Sequence, residues 1–242
     1  MHQFEININA DIGEMAGQDE AIMPYLSSCN IATGGHVGDA QTIQKTIDLA
    51  IKNKVEIGAH PSYPDRENFG RIRSEISDSE LTESLIEQLQ TFYKIAQKNK
   101  VEVHHIKPHG ALYHDLVNDK EKAILFLSVV EKLGIKTQLY TLQNGFLHQL
   151  SGKNHTVCFE AFIDRHYNTD LSLVSRKESH ALIEEPKEVW EQLYEMVFLK
   201  QVTTVSGKTQ SLSAETFCIH GDHPNATEIL KYIHSQVEQL KS

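Results

Sequence analysis

The sequence predicts an α/β fold: a seven-stranded, somewhat irregular TIM-like β/α barrel forming a single domain over residues 1–242. Three observations carry this expectation. Alternating strand-like stretches are separated by helical stretches, the order that builds parallel sheets. Six of the seven expected strands end in ionisable groups, namely Asp11 and Glu14, His36, His60, Lys107 and His109, Glu160 and Asp164, and His220 and Asp222. Parallel strands joined by helices share one C-terminal rim, so these ends meet in one place. Finally, 242 residues of which 40% are hydrophobic suffice for one barrel-sized core.

Residues 4–11 alternate, with Phe4, Ile6, Ile8 and Ala10 on one face and Glu5, Asn7, Asn9 and Asp11 on the other. The polar face of this first strand reads either as the lining of a site or as a solvent-facing edge. A short helix over 19–26 precedes the second strand, 29–33, which runs into Gly34-Gly35-His36-Val37-Gly38-Asp39. Glycines there let backbone approach a ligand and offer amides to an oxyanion. Asp39 is placed to cap a helix over 39–52 whose apolar stripe is Ile43, Ile47 and Ile51. The third strand, 55–59, ends in His60-Pro61. In the polar loop beyond it, Arg66, Arg71 and Arg73 either bind carboxylate or phosphate or are solvated. Residues 77–99 form the clearest helix, capped by Ser77 or Asp78, with Leu81, Leu85, Leu89, Phe92 and Ala96 on its apolar stripe.

The fourth strand, 101–107, puts Val101, Val103, His105 and Lys107 on one face, shared by His109 beyond its end. Pro108 and Gly110 end the ladder and turn the chain. A helix over 119–133 follows, then a fifth strand, 137–141, with no obvious chemical group at its end, and a short helix after Asn144-Gly145-Phe146. On the sixth strand, 156–162, Glu160, Phe162 and Asp164 share a face, with Arg165 beside them; this is either a structural ion pair or a substrate clamp. Residues 171–183 are irregular, and Pro186 opens a helix over 187–198. A peripheral hairpin over 202–213 turns at Ser206-Gly207. The seventh strand, 216–220, puts Cys218, His220 and Asp222 on one face, and a helix over 225–240 closes the chain.

Several function classes are disfavoured. A formal net charge of -10 without any run of Lys or Arg argues against nucleic-acid binding. Cys29, Cys158 and Cys218 are too scattered for a disulfide framework or a CxxC metal pair. The first residues do not resemble a signal peptide and no apolar run reaches membrane length, so a cytoplasmic protein is expected. Gly207-Lys208-Thr209 matches the end of a phosphate-binding P-loop, but Val202 stands where that motif needs its first glycine. A rim pocket rich in His and carboxylate points to a hydrolase.

Six ordered motifs resemble the LamB/YcsF family of 5-oxoprolinase A subunits, nearly end to end. They are Asn9-Ala10-Asp11-Ile12-Gly13-Glu14; Asn30-Ile31-Ala32 with Gly35-His36 and Gly38-Asp39; Gly58-Ala59-His60-Pro61 with Tyr63-Pro64-Asp65 and Phe69-Gly70-Arg71; Lys107-Pro108-His109-Gly110-Ala111-Leu112-Tyr113; Glu160-Ala161-Phe162 with Asp164-Arg165; and Cys218-Ile219-His220-Gly221-Asp222. The family more often has cysteine and leucine where this chain has Ala10 and Ile12, and often Cys-Gly-Phe-His where it has Thr33-Gly34-Gly35-His36. The resemblance implies a barrel similar to that of carbohydrate deacetylases. It also implies opening of the lactam of 5-oxo-L-proline (pyroglutamate) to L-glutamate, with ATP hydrolysed to ADP and phosphate and with separate B and C partner subunits. Without a P-loop, ATP is expected to be bound mainly by the partners.

On that reading Asp11 or His60 is the base for water, Lys107 and His109 stabilise the developing oxyanion or phosphate, and Arg71 or Arg165 holds the substrate carboxylate. His220 and Asp222 form an oriented acid/base pair, and Glu14, His36, Glu160 and Asp164 complete the substrate site. No metal ligand is assigned. A rival reading is a metal-dependent deacetylase or amidohydrolase, for which Asp11, His36 and His60 are acceptable ligand types. A third is a non-catalytic binding subunit, disfavoured by the intact set of ionisable rim groups. A homo-oligomer is left open.

Overall fold

Caps and turn residues in the sequence mark most element boundaries in the computed structural model, which describes residues 6–152 and 155–241. Phe4 and Glu5, expected to begin the first strand, lie outside the described residues. In order the elements are β1 (Ile8–Ile12), α1 (Asp19–Ile22) with a 3-10 turn (Met23–Tyr25), β2 (Ser28–Ala32), α2 (Ala40–Asn53), β3 (Glu56–His60), α3 (Asp78–Lys98), β4 (His105–Ile106), α4 (Gly110–Asn118) and α5 (Lys120–Lys132). There follow β5 (Gln138–Thr141), α6 (Phe146–Ser151), β6 (Val157–Phe162), α7 (Pro186–Tyr194) running into a π-helical turn (Glu195–Leu199), β7 (Gln201–Thr203), β8 (Thr209–Ser211), β9 (Thr216–Ile219) and α8 (Ala226–Lys241). Asp39 and Ser77 each close a capping box, with Thr42 and Glu80 respectively, which satisfies amides at the starts of α2 and α3. Asp119 accepts from the amides of Glu121 and Lys122 and starts α5.

Seven parallel strands close into a barrel in the order β1-β2-β3-β4-β5-β6-β9, with β9 paired to both β6 and β1. The β7–β8 hairpin lies apart as a two-stranded antiparallel sheet. Alternation along the strands separates two environments. Outward residues such as Ile8, Ala10, Ile31, Ile57, Ile106 and Ile219 are buried in one apolar cluster with the helices. Inward residues are mostly polar: Asn9, Asp11, Asn30, His105, Lys107, Glu160 and Thr216 are each 6% exposed or less. Among the described residues no helix is long and apolar enough to cross a membrane.

Two expectations need correction. The fourth strand is only His105–Ile106, not 101–107; residues 101–104 run beside β3 with one bond, from the His104 amide to the Ile57 carbonyl at 2.8 Å. Helix α4 is an addition to the expected elements. Its first residue, Gly110, has φ +54, and a Cβ there would lie 2.5 Å from the Gly70 carbonyl oxygen, so only glycine fits this turn.

The polar interior also requires a missing side chain. His105 packs between strands, with Nε2 2.6 Å from Asn30 Oδ1 and its ring stacked on Tyr140 at 3.9 Å. A Cβ on Gly58 would come within 2.1 Å of that Nε2. Gly58→Ala is therefore expected to overpack the barrel and cost about 1–3 kcal/mol or more, read as a lowered midpoint in urea unfolding.

Candidate active site

The C-terminal ends of the strands surround a cavity of about 440 Å³. Its floor is Asp11, Glu14, His60, Lys107 and His109; Tyr113, Phe162, Leu173 and Val174 form apolar walls; Arg71, Arg176 and His220 stand around it. Of the expected strand-end groups, Asp11, Glu14, His60, Lys107, His109 and His220 line this cavity, whereas His36, Glu160, Asp164 and Asp222 do not.

The floor is built from below. Lys107 Nζ donates to Asp11 Oδ1 at 3.0 Å, Glu160 Oε1 at 2.9 Å and Cys218 Sγ at 2.9 Å. Asn30 Nδ2 donates to the same Asp11 oxygen at 2.8 Å. Asp11 Oδ2 is left facing His60 Nε2 at 3.5 Å. Burial opposes ionisation of Asp11, but His60 and Lys107 outweigh it and hold the carboxyl well below the usual range. The converse holds for His60: burial lowers its pKa, yet the Asp11 charge and contact raise it overall. Burial alone would also depress Lys107, but Asp11, Cys218 and Glu160 keep its pKa well above normal, so it is an ammonium.

Glu14 Oε1 lies among three imidazoles, at 2.8 Å from His36 Nε2, 3.2 Å from His109 Nδ1 and 3.7 Å from His60 Nε2. Burial raises its pKa, but contacts from His109 and His36 overcome that and lower it strongly. His36 lies parallel to His109, 3.7 Å between ring centres, and burial brings its own pKa down to about 4. Asp11, Glu14, His60 and His109 offer ligand atoms all within 4.8 Å of one another, a group able to hold a cation.

Across the cavity, His220 Nδ1 lies 2.9 Å from Asp164 Oδ2, which also accepts the His220 amide at 2.9 Å. The His220 ring stacks on Phe162 at 5.4 Å. Asp164 is fully buried, which raises its pKa, but the charge and hydrogen bonds of His220 prevail and bring it down to about 2.

The structure redistributes several expected roles. His220 is oriented by Asp164 and not by Asp222. The strand ends at Ile219, so period-two alternation no longer applies by Asp222. Asp222 instead pairs with Arg71 and faces Arg176 at 3.7 Å. Arg165 lines the cavity but donates to the carbonyls of Ala181 and Val174, so it anchors the 172–183 segment instead of meeting a carboxylate. Glu160 is a partner of Lys107 and Asn9 inside the barrel, below the cavity. His36 stands behind Glu14, off the cavity lining. The glycine-rich loop gives the carbonyls of Gly34 and Gly38 to Arg66, and it does not line the cavity. Arg73 pairs with Asp119 and Asp115. Arg176 is absent from the sequence-based site; the available signal is two adjacent basic residues, Arg176 and Lys177, in a long aperiodic segment after a barrel strand.

With this geometry in view, comparison with known proteins is specific. A sequence model of the LamB/YcsF family matches residues 6–242. The chain is 35% identical over 242 residues to the 5-oxoprolinase A subunit of Pyrococcus abyssi, covering 98% of this chain and 95% of that one. It is 37% identical over 237 residues to the protein of the same name from Haemophilus influenzae, covering 97% and 96%. The crystal structure of a lactam utilization protein from Thermus thermophilus superposes with a TM-score of 0.89 at 30% identity, covering 98% of both chains. A D-tagatose 3-epimerase-like protein shares the fold alone, with a TM-score of 0.51 at 12% identity, covering 97% of this chain and 98% of that one. The chain belongs to the LamB/YcsF family.

The Asp164–His220 pair sets a pH dependence. The folded-state pKa of Asp164 lies below its unfolded value of 3.8, so its stabilisation is complete above pH 3.8 and is lost as pH falls through about 2. Roughly 2 kcal/mol is at stake. Asp164→Asn is expected to lose that increment at neutral pH and to flatten this part of the acid limb, measured by urea unfolding across that pH range.

Proposed function

We propose that this member of the LamB/YcsF family hydrolyses the lactam amide of 5-oxo-L-proline to L-glutamate, as the A subunit of an ATP-dependent assembly with B and C partners. The observation that carries the reading is an oriented imidazole, His220, facing a carboxylate–imidazole floor across one cavity with arginines at its mouth. The names of the relatives support the substrate.

Amide hydrolysis needs an activated water, a stabilised oxyanion and a proton for the departing nitrogen. Asp11 or His60 takes the proton from water; if the floor group holds a cation, both would be its ligands and the cation would supply the activation of water instead. His220, with Nδ1 against Asp164, presents Nε2 to deliver a proton to the ring nitrogen as the C–N bond breaks. Arg71 and Arg176 suit the substrate carboxylate, and Phe162 with Val174 suits the apolar edge of the ring. Lys107 acts by fixing Asp11, since its ammonium is already engaged by Asp11, Glu160 and Cys218. A lactam is a poor electrophile, and phosphorylation of its oxygen by ATP, releasing ADP, makes the carbonyl carbon open to water; C–N cleavage in that adduct leaves an acyl phosphate, which a second water converts to the glutamate side-chain carboxylate and phosphate. The sequence has no P-loop, so that phosphorylation is assigned mainly to the partners. The four-residue cation-binding group favours a second reading, a metal-dependent amidohydrolase that needs no ATP.

Glutamate release from 5-oxoproline is to be measured with the chain alone and with B and C subunits, with and without ATP. Release only in the complete mixture is expected. Release by the isolated chain without ATP favours the second reading, and no release in the complete mixture overturns the first. In the complete mixture His220→Gln is expected to lower kcat by about 10²–10⁴-fold. Asp222→Asn, which frees Arg71, is expected to act mainly on KM.

A further inference from the structure

Four acceptor atoms meet at the cavity floor without a hydrogen to share. His60 Nδ1 lies 2.6 Å from the Lys107 carbonyl oxygen, and His109 Nε2 lies 2.9 Å from the Phe69 carbonyl oxygen. A carbonyl can only accept, so these nitrogens carry each ring's hydrogen. The neutral rings then turn their lone pairs, on His60 Nε2 and His109 Nδ1, toward each other at 2.9 Å. The Asp11 and Glu14 carboxylates close the group, all ligand atoms within 4.8 Å. Neither lone pairs nor carboxylates supply a donor to one another, so the group holds either a cation or an extra proton.

Charge and support favour the cation. Asp11, Glu14 and Glu160 place three carboxylates against the single ammonium of Lys107, all 7% exposed or less. With neutral imidazoles that leaves two negative charges uncompensated in a buried region, which a divalent ion balances and one proton does not. Each donor is also held from behind. The two imidazoles donate to backbone carbonyls, Asp11 Oδ1 is taken by Lys107 and Asn30, and Glu14 is met by His36 at 2.8 Å. That outer layer is what metal ligands require to keep tautomer and direction.

We propose that Asp11, Glu14, His60 and His109 form a mononuclear site for a divalent transition-metal ion of the zinc, manganese or cobalt type. Two imidazole nitrogens with two carboxylate oxygens suit these ions better than magnesium or calcium, which prefer oxygen alone. Three of the strand ends supply the ligands: Asp11 on β1 with Glu14 beyond it, His60 on β3, and His109 beyond β4. The site also replaces His36 of the sequence-based ligand set with Glu14 and His109. The ion faces the cavity, where it can lower the pKa of a bound water; that role, unlike the binding, rests on the hydrolytic reading above.

The test is metal titration of the full-length chain after chelator treatment, using Zn²⁺, Mn²⁺ and Co²⁺ separately, by calorimetry and by the shift of the thermal midpoint. One ion per chain, with a raised midpoint, is expected for at least one of the three. His60→Ala and His109→Ala are each expected to weaken binding by roughly 100-fold or more, whereas His180→Ala, at an exposed position, leaves it unchanged. Absence of binding and of any midpoint shift for all three ions in the unsubstituted chain overturns the proposal, whatever the variants do. So does binding that His180→Ala abolishes and the two ligand variants do not. Glutamate formation by a chain that binds no metal removes the site and leaves the lactam-hydrolase reading standing; metal binding without glutamate formation in the complete mixture does the reverse.

Discussion

The ammonium of Lys107 is the interaction on which the barrel's interior depends. It sits 2% exposed and bonds to Asp11 on β1, Glu160 on β6 and Cys218 on β9, while its own amide donates to Ala59 on β3 at 2.9 Å. Taking an ammonium out of water costs several kcal/mol, and removing one partner from such a buried set typically costs about 3–5 kcal/mol. Most barrels of this type fill the interior with branched apolar layers. Here Asn9, Asn30, His105, Glu160 and Thr216 build a hydrogen-bonded interior instead, and Lys107 is its top rung. The same bond that satisfies the lysine turns one Asp11 oxygen inward and leaves the other for the cavity. Barrel stability and the direction of a candidate catalytic group are therefore set by one contact.

The cavity is electrostatically divided. Its floor gathers carboxylates and imidazoles, whereas its mouth carries Arg71 and Arg176, which share Asp222. An anionic ligand meets the arginines first, and Asp222 holds them apart from the floor carboxylates. Phe162 and Tyr113 add apolar surface to the cavity lining. On the proposed reading, the arginines serve the substrate carboxylate and the floor its amide.

Much of this is legible in the chain because barrel strands obey a strict alternation. The polar face of residues 7–11, ambiguous between site and edge, is the barrel's inner face, and the recurrence of ionisable strand ends identifies the rim. Legibility fails where alternation stops. Beyond Ile219 the backbone leaves the ladder, so Asp222 swings to Arg71 and the partner of His220 comes from Asp164, 56 positions earlier. No local pattern encodes a pairing between the ends of β6 and β9. His36 and His60 look alike as strand-end histidines, but the loop after β2 places His36 one layer back, stacked on His109. Helix α4 is hidden because His109, its N-cap, makes no side-chain cap, and Gly110 resembles a simple turn.

Closure with seven strands brings the two halves of the site together. Because β9 pairs with both β6 and β1, the Asp164–His220 pair, at the ends of β6 and β9, stands next to the strand that carries Asp11. On the other side of β1, β2 and β3 bring His60, and β4 brings Lys107 and His109. A strand inserted between β9 and β1 would move His220 about 4.8 Å from the Asp11 side, more than the reach of a hydrogen bond. The His220 imidazole and the floor group thus line one cavity of about 440 Å³. On the proposed reading, proton delivery by His220 and water activation at the floor both depend on this closure.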